Sequence, residues 1–128
     1  MNEITDKISN GKVVDMEKEI NAGTLKWNPH PAFEGVYLKH LVTGDMTDSK
    51  FSCHLVKIEN GHEIGEHIHE KNWELHEPVD GLGRGFLAEK EIEYVLGVSV
   101  VIPEGVKHRI VAVDGDFYLL AKFIPALV

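Results

Sequence analysis

From Gly35 onward the chain is a succession of short runs rich in β-branched and aromatic residues. They are Val36-Tyr37-Leu38, Phe51 to Ile58, Ile92 to Leu96, Val98 to Ile102, His108 to Val113 and Phe117 to Phe123. No amphipathic segment of helical length, roughly 10–12 residues, separates them. Their punctuation is specific: Thr43-Gly44-Asp45, Glu59-Asn60-Gly61 and Val113-Asp114-Gly115-Asp116 supply residues that tolerate positive φ. The last of these predicts a hairpin, and Pro103-Glu104-Gly105 suits a type I turn. Regularly spaced short strands joined this way specify an all-β antiparallel sandwich or barrel. The N-terminal segment reads differently. Ile4 and Ile8 have helical spacing, Asn10-Gly11 interrupts them, and Val13-Val14 reads as extended. At 128 residues the chain has the length of one domain that buries roughly two thirds of its unfolded surface.

Composition narrows the function. The chain is 43% hydrophobic and 27% charged, a balance suited to a globular fold, and it has no apolar stretch near the roughly 18 residues of a membrane span. Thirteen basic against 21 acidic residues leave a formal charge of -8, which repels phosphate backbones, so neither nucleic acid nor a membrane is an expected partner. A lone cysteine, Cys53, forms no internal disulfide, and Met1 to Lys7 lack the basic start and apolar run of a secretory signal. A cytoplasmic location is therefore expected. Histidine is the anomaly: there are eight, and His62, His67, His69 and His76 fall in one short window.

On a strand, His67 and His69 project to the same side. Taken alone, a His-x-His pair is most simply a solvated polar face. Glu74 lies five positions after His69, an odd offset that an unbroken strand would turn to the other face, so a loop through Glu70-Lys71-Asn72-Trp73 is needed to reset the parity. His108, just beyond the Pro103 turn, is a fourth candidate, with Ile110 and Ala112 in phase behind it. Three imidazoles and a carboxylate suit one divalent transition metal ion (Fe, Mn, Co, Ni, Cu or Zn) better than Ca or Mg, which prefer oxygen.

The order of these residues carries a resemblance. Gly61, five residues, His67-Ile68-His69, four residues, Glu74, six residues, Gly81 resembles the first motif of the cupin superfamily. Gly97, five residues, Pro103-Glu104-Gly105, two residues, His108 resembles the second, and the 15 residues Leu82 to Leu96 between them make a short connection. The resemblance implies a double-stranded β-helix, or jelly-roll barrel, usually a homodimer. It also implies one metal held by His67, His69, Glu74 and His108. Residues 35–128 would form the barrel core, with 1–34 an extension packing on the barrel or on a dimer partner. Two positions depart from the pattern: Ala112 stands where the second motif usually has Asn, and Pro78 interrupts a strand, implying a bulge or an unpaired edge.

His76, two positions from Glu74, should share its face, either as a catalytic proton-transfer group or fifth ligand, or only orienting Glu74. His54 is expected to be an ordinary strand histidine. His62 is expected at the surface, and His30 and His40 show no partner pattern. Cys53 reads as a buried, inert thiol. Arg84, framed by glycines, is either a solvent-facing strand residue or a clamp for a substrate carboxylate. Trp27, Trp73, Phe86, Tyr94 and Phe123 read as core or cavity wall. Residues 117–124 read as a core or interface strand, and Glu89, Glu91 and Glu93 as a solvated edge. Two function classes fit: a metalloenzyme of dioxygenase, isomerase or decarboxylase type acting on a small organic molecule, or a non-catalytic cupin that binds or senses a small ligand or the metal.

Overall fold

The computed structural model describes residues 1–128. The N-terminal part forms α1 (Glu3–Ser9), a two-strand ribbon of β1 (Lys12–Val14) and β2 (Glu19–Asn21), and a single 3-10 turn at Ala22–Thr24. Helix α1 starts at Asn2, whose side chain accepts from the Thr5 N–H, the bond that an N-cap supplies.

The barrel follows as β3 (Asn28–Pro29), β4 (Val36–Val42), β5 (Ser52–Ile58), β6 (Glu63–His67), β7 (Trp73–Leu87), β8 (Lys90–Tyr94), β9 (Val100–Ile102) and β10 (His108–Ile124), with a short helical turn α2 (Gly44–Thr47) after β4. The strand order is β3-β4-β5-β10-β7-β8, with β6 also pairing β10 and β9 also pairing β7, and every pairing is antiparallel. The strand pattern led to the expectation of an antiparallel sandwich or barrel, and the structure is a barrel of the jelly-roll form that the resemblance implies.

One local expectation is overturned. Val113 to Asp116 is not a hairpin, because β10 runs straight through it. Before this point β10 pairs with β6, and after it with β5, while β7 stays on its other flank throughout. Asp114 (φ 56°) and Gly115 (φ 142°) give the strand the bend it needs to change partners at the barrel's corner. Asn60 clamps the bend: its N–H donates to Asp116 and its side chain accepts from the Gly115 N–H. At Pro78 the register of β7 against β10 also shifts, between Leu119↔Pro78 and Tyr118↔Asp80, so the missing N–H falls at an irregularity in the ladder.

Alternation sorts side chains onto two layers. Inward residues such as Val36, Ile58, Ile110, Phe117 and Leu119 build the barrel core. Outward residues Leu41, Leu55, Val79 and Tyr118 are covered by Ile8, Val13, Leu25 and Trp27 of the N-terminal segment. Lys39 fastens that cover. Its ammonium is buried and donates to the Ser9 carbonyl (2.9 Å), the Ser9 hydroxyl (3.0 Å) and the Ala22 carbonyl (3.1 Å), with the Trp27 ring 5.4 Å away. Trp73, expected inside, lies outside and is 46% exposed, because strand parity from Glu74 turns it outward. No helix is long and apolar enough to cross a membrane.

Candidate metal centre

The ligating atoms of His67, His69, Glu74 and His108 lie within 4.8 Å of one another. Strand pairing brings them together. His67 closes β6 directly opposite His108, which opens β10, and their rings are 4.1 Å apart. His69 lies just beyond β6 in the loop that precedes β7, and its carbonyl accepts from the Gly105 N–H, so the Pro103 turn is tied to it. Glu74 enters from β7 once the intervening loop has reset the parity.

The rings are aimed by their far nitrogens. His67 Nδ1 donates to the Gly65 carbonyl (2.7 Å) and His108 Nδ1 to the Val106 carbonyl (2.9 Å), which leaves each Nε2 lone pair for the centre. Glu74 Oε1 is 3.2 Å from both His69 Nε2 and His108 Nε2. These atoms are close without being aligned as hydrogen bonds, so Glu74 Oε1 and His108 Nε2 are buried with no hydrogen-bond partner. A buried acceptor left unpaired costs about 1–3 kcal/mol, and a cation between these atoms removes that penalty. Charge agrees with the geometry. Burial alone would raise the Glu74 carboxyl, but His76 and His108 hold it well below the usual carboxylate range. Burial pushes His67 down to about 4 and lowers His69, so both imidazoles are neutral at neutral pH, as ligands must be. His108 differs: burial opposes its charge, yet Glu74 keeps it above the ordinary histidine value. An ionised carboxylate beside two imidazoles held neutral fits a divalent transition ion, which would take the place of the His108 proton against Glu74.

Behind Glu74 stands His76, 2% exposed, with both ring nitrogens engaged. Nε2 bonds Glu74 Oε2, and Nδ1 meets the Tyr94 hydroxyl at 3.0 Å. Burial raises Tyr94 and keeps its proton in place, so the phenol donates to Nδ1 and the Nε2–H donates to the carboxylate. Tyr94 was read from the sequence only as core or wall. The signal that could have shown its position was Gly83-Arg84-Gly85, since an added Cβ at Gly85 would sit 2.1 Å from the Tyr94 ring. Those glycines admit the tyrosine, while Arg84 points outward and pairs with Glu91 at 3.1 Å.

The chamber over the cluster is about 50 Å³ and includes His30, which showed no sequence pattern. His30 Nδ1 accepts from the Ala32 N–H, leaving Nε2 unbonded. His54 is fully buried but does not line the chamber. Its Nδ1 faces His40 Nδ1 at 2.8 Å, its Nε2 faces Ser52 Oγ at 2.9 Å, and the Phe123 ring packs edge-on against both His54 and His69. His62, expected at the surface, is half-buried with its ring against the Gly35 backbone.

No protein-family profile and no curated protein sequence matches the chain. Solved structures do match it in three dimensions. A sugar phosphate isomerase from a cupin superfamily of Silicibacter pomeroyi superposes with a TM-score of 0.69 at 21% identity, over 84% of this chain and 75% of that one. The fold is that of the cupins. A predicted oxalate decarboxylase from Thermotoga maritima matches this cupin barrel at TM-score 0.73 and 21% identity, covering 80% and 95% of the two chains. The polyketide cyclase RemF from Streptomyces resistomycificus matches at 0.72 and 16%, covering 85% and 80%.

Proposed function

We propose that this cupin is a metal-dependent enzyme for a small organic molecule, with His67, His69, Glu74 and His108 as the metal ligands. The observation that carries this reading is the pair of buried, unpartnered atoms, Glu74 Oε1 and His108 Nε2, in a cluster where the Nδ1 atoms of His67 and His108 are tied to backbone carbonyls. A divalent ion bound there supplies Lewis acidity toward an oxygen of the substrate. The chain's own residues do the rest. The Gly65 and Val106 carbonyls fix two imidazoles, and His76, held by Tyr94, fixes the carboxylate. Phe123 and the aliphatic wall restrict water around the cluster. Isomerase, decarboxylase and cyclase are the activities named for its structural neighbours, and polarisation of a substrate oxygen serves all three.

Elemental analysis of protein purified without added metal, beside the His67→Ala variant, tests this reading. Stoichiometric transition metal in the native chain, lost in the variant, is the expected result; equal content in both overturns it.

Non-catalytic binding is the second reading. It is favoured by the engagement of both His76 nitrogens, which leaves His30 as the one chamber histidine outside the ligand set with a nitrogen unbonded. A small molecule that raises Tm yet is recovered unchanged after long incubation would support it.

A further inference from the structure

Nine of the fourteen residues lining the chamber are hydrophobic; the other five are Glu74, His30, His67, His69 and His76. No lysine, arginine, amide or hydroxyl group lines it. The chamber shares His30, Leu38, His69 and Leu127 with an outer mouth of about 340 Å³, so the two form one path, and the mouth also lacks lysine and arginine.

Cations are not scarce near these walls; strand parity turns them away. Lys39 follows the lining residue Leu38 and points outward to Ser9 and Ala22. Lys57 follows Val56 and lies 4.0 Å from Asp116. Arg109 precedes Ile110 and pairs with Glu63, and Lys122 follows Ala121 and pairs with Glu77. Burial also holds His30 and His40 toward their neutral forms.

We propose that the chamber takes a small, mainly apolar molecule bearing a single anionic oxygen-donor group, and rejects molecules of similar size that carry a second charged group. This rests on the metal-site reading. A divalent cation with the ionised Glu74 leaves one positive charge, which one anionic oxygen neutralises. A second anion would lie against Val36, Val56, Ile110 and Leu119 or, on a longer molecule, in a mouth without lysine or arginine, in either place with no cationic side chain lining it, and burying an unpaired charge is strongly unfavourable. The hydrocarbon body, in contrast, gains from leaving water along the same wall. A water needs roughly 10–15 Å³ on the measure that gives the chamber its volume, so only a few non-hydrogen atoms fit inside and a longer tail extends into the mouth.

Hexanoate and succinate have the same number of non-hydrogen atoms but differ by one charge. Each, together with propionate, is titrated calorimetrically into the full chain loaded with Zn²⁺, and metal content is measured on the same sample. Hexanoate is expected to bind more tightly than propionate and at least about tenfold more tightly than succinate. Succinate binding as tightly as hexanoate, no gain from propionate to hexanoate, or no binding by any of the three overturns the proposal. Failure to retain Zn²⁺ is a separate result that removes the metal-site reading. That result overturns the selectivity as well, because without the ion the anionic group has no counter-charge beside the ionised Glu74.

Discussion

Tyr94 reaches the candidate ligand Glu74 through His76. Its hydroxyl sets the His76 tautomer, and His76 sets the Glu74 carboxylate. Tyr94→Phe is expected to keep the barrel and lower metal affinity by about 10–100-fold, the range for lost outer partners of metal ligands. Competition with a chelator measures this, and unchanged affinity would show that Glu74 is held without the relay. His54 carries a different prediction. Burial, reinforced by His40, pushes it down to about 4 in the folded chain, while an unfolded histidine titrates near 6.5. Between those values the unfolded chain binds the extra proton. The stability linked to His54 is therefore complete above about pH 6.5 and is lost as pH falls toward 4, up to about 3 kcal/mol. Denaturant unfolding across that range should show the slope, and His54→Leu should reduce it, leaving the part contributed by His67, which is also pushed down to about 4. The four candidate ligand positions were legible because strand alternation put His67 and His69 on one face and the resemblance to the two cupin motifs added Glu74 and His108, which the structure gathers into one cluster. His30 and Tyr94 were not, because each reaches the site through a contact across the barrel that no local spacing encodes.

At the level of elements, the N-terminal segment is joined to the barrel by one buried ammonium with three acceptors. Lys39→Met keeps much of the aliphatic stem but leaves the Ser9 and Ala22 groups unpaired. A loss of about 1–3 kcal/mol is expected, with faster amide exchange over α1 and the β1–β2 ribbon than over β5 and β10. Uniform exchange throughout would show that the segment does not open by itself. The same layer shows where sequence reading stopped. Ile4 and Ile8 correctly indicated a helix, and Val13-Val14 a strand, yet nothing local revealed that Lys39, one strand away, would close them down. The Val113–Asp116 stretch failed for the opposite reason. Positive-φ residues serve equally well in a hairpin and in a strand that bends while changing partners, and only the flanking pairings with β6, β5 and β7 decide between the two.

Across the whole molecule, the candidate ligands come from strands that are neighbours in the barrel but distant in sequence: His67 from β6 and Glu74 from β7, with His108 on β10, which pairs with both. A cluster so distributed exists only in the folded chain, so a metal bound by it as proposed would add directly to folding stability. At a free metal concentration of 100 times Kd the gain is about 2.7 kcal/mol. Calorimetry should show it as a raised Tm in the native chain and no rise in His67→Ala. The seventeen-residue strand β10 pairs with β5, β6 and β7, all of which precede it. During synthesis those three strands must wait with their shared neighbour unmade, and until β10 is made the cluster lacks His108, so its four members meet only once the chain has grown past that strand.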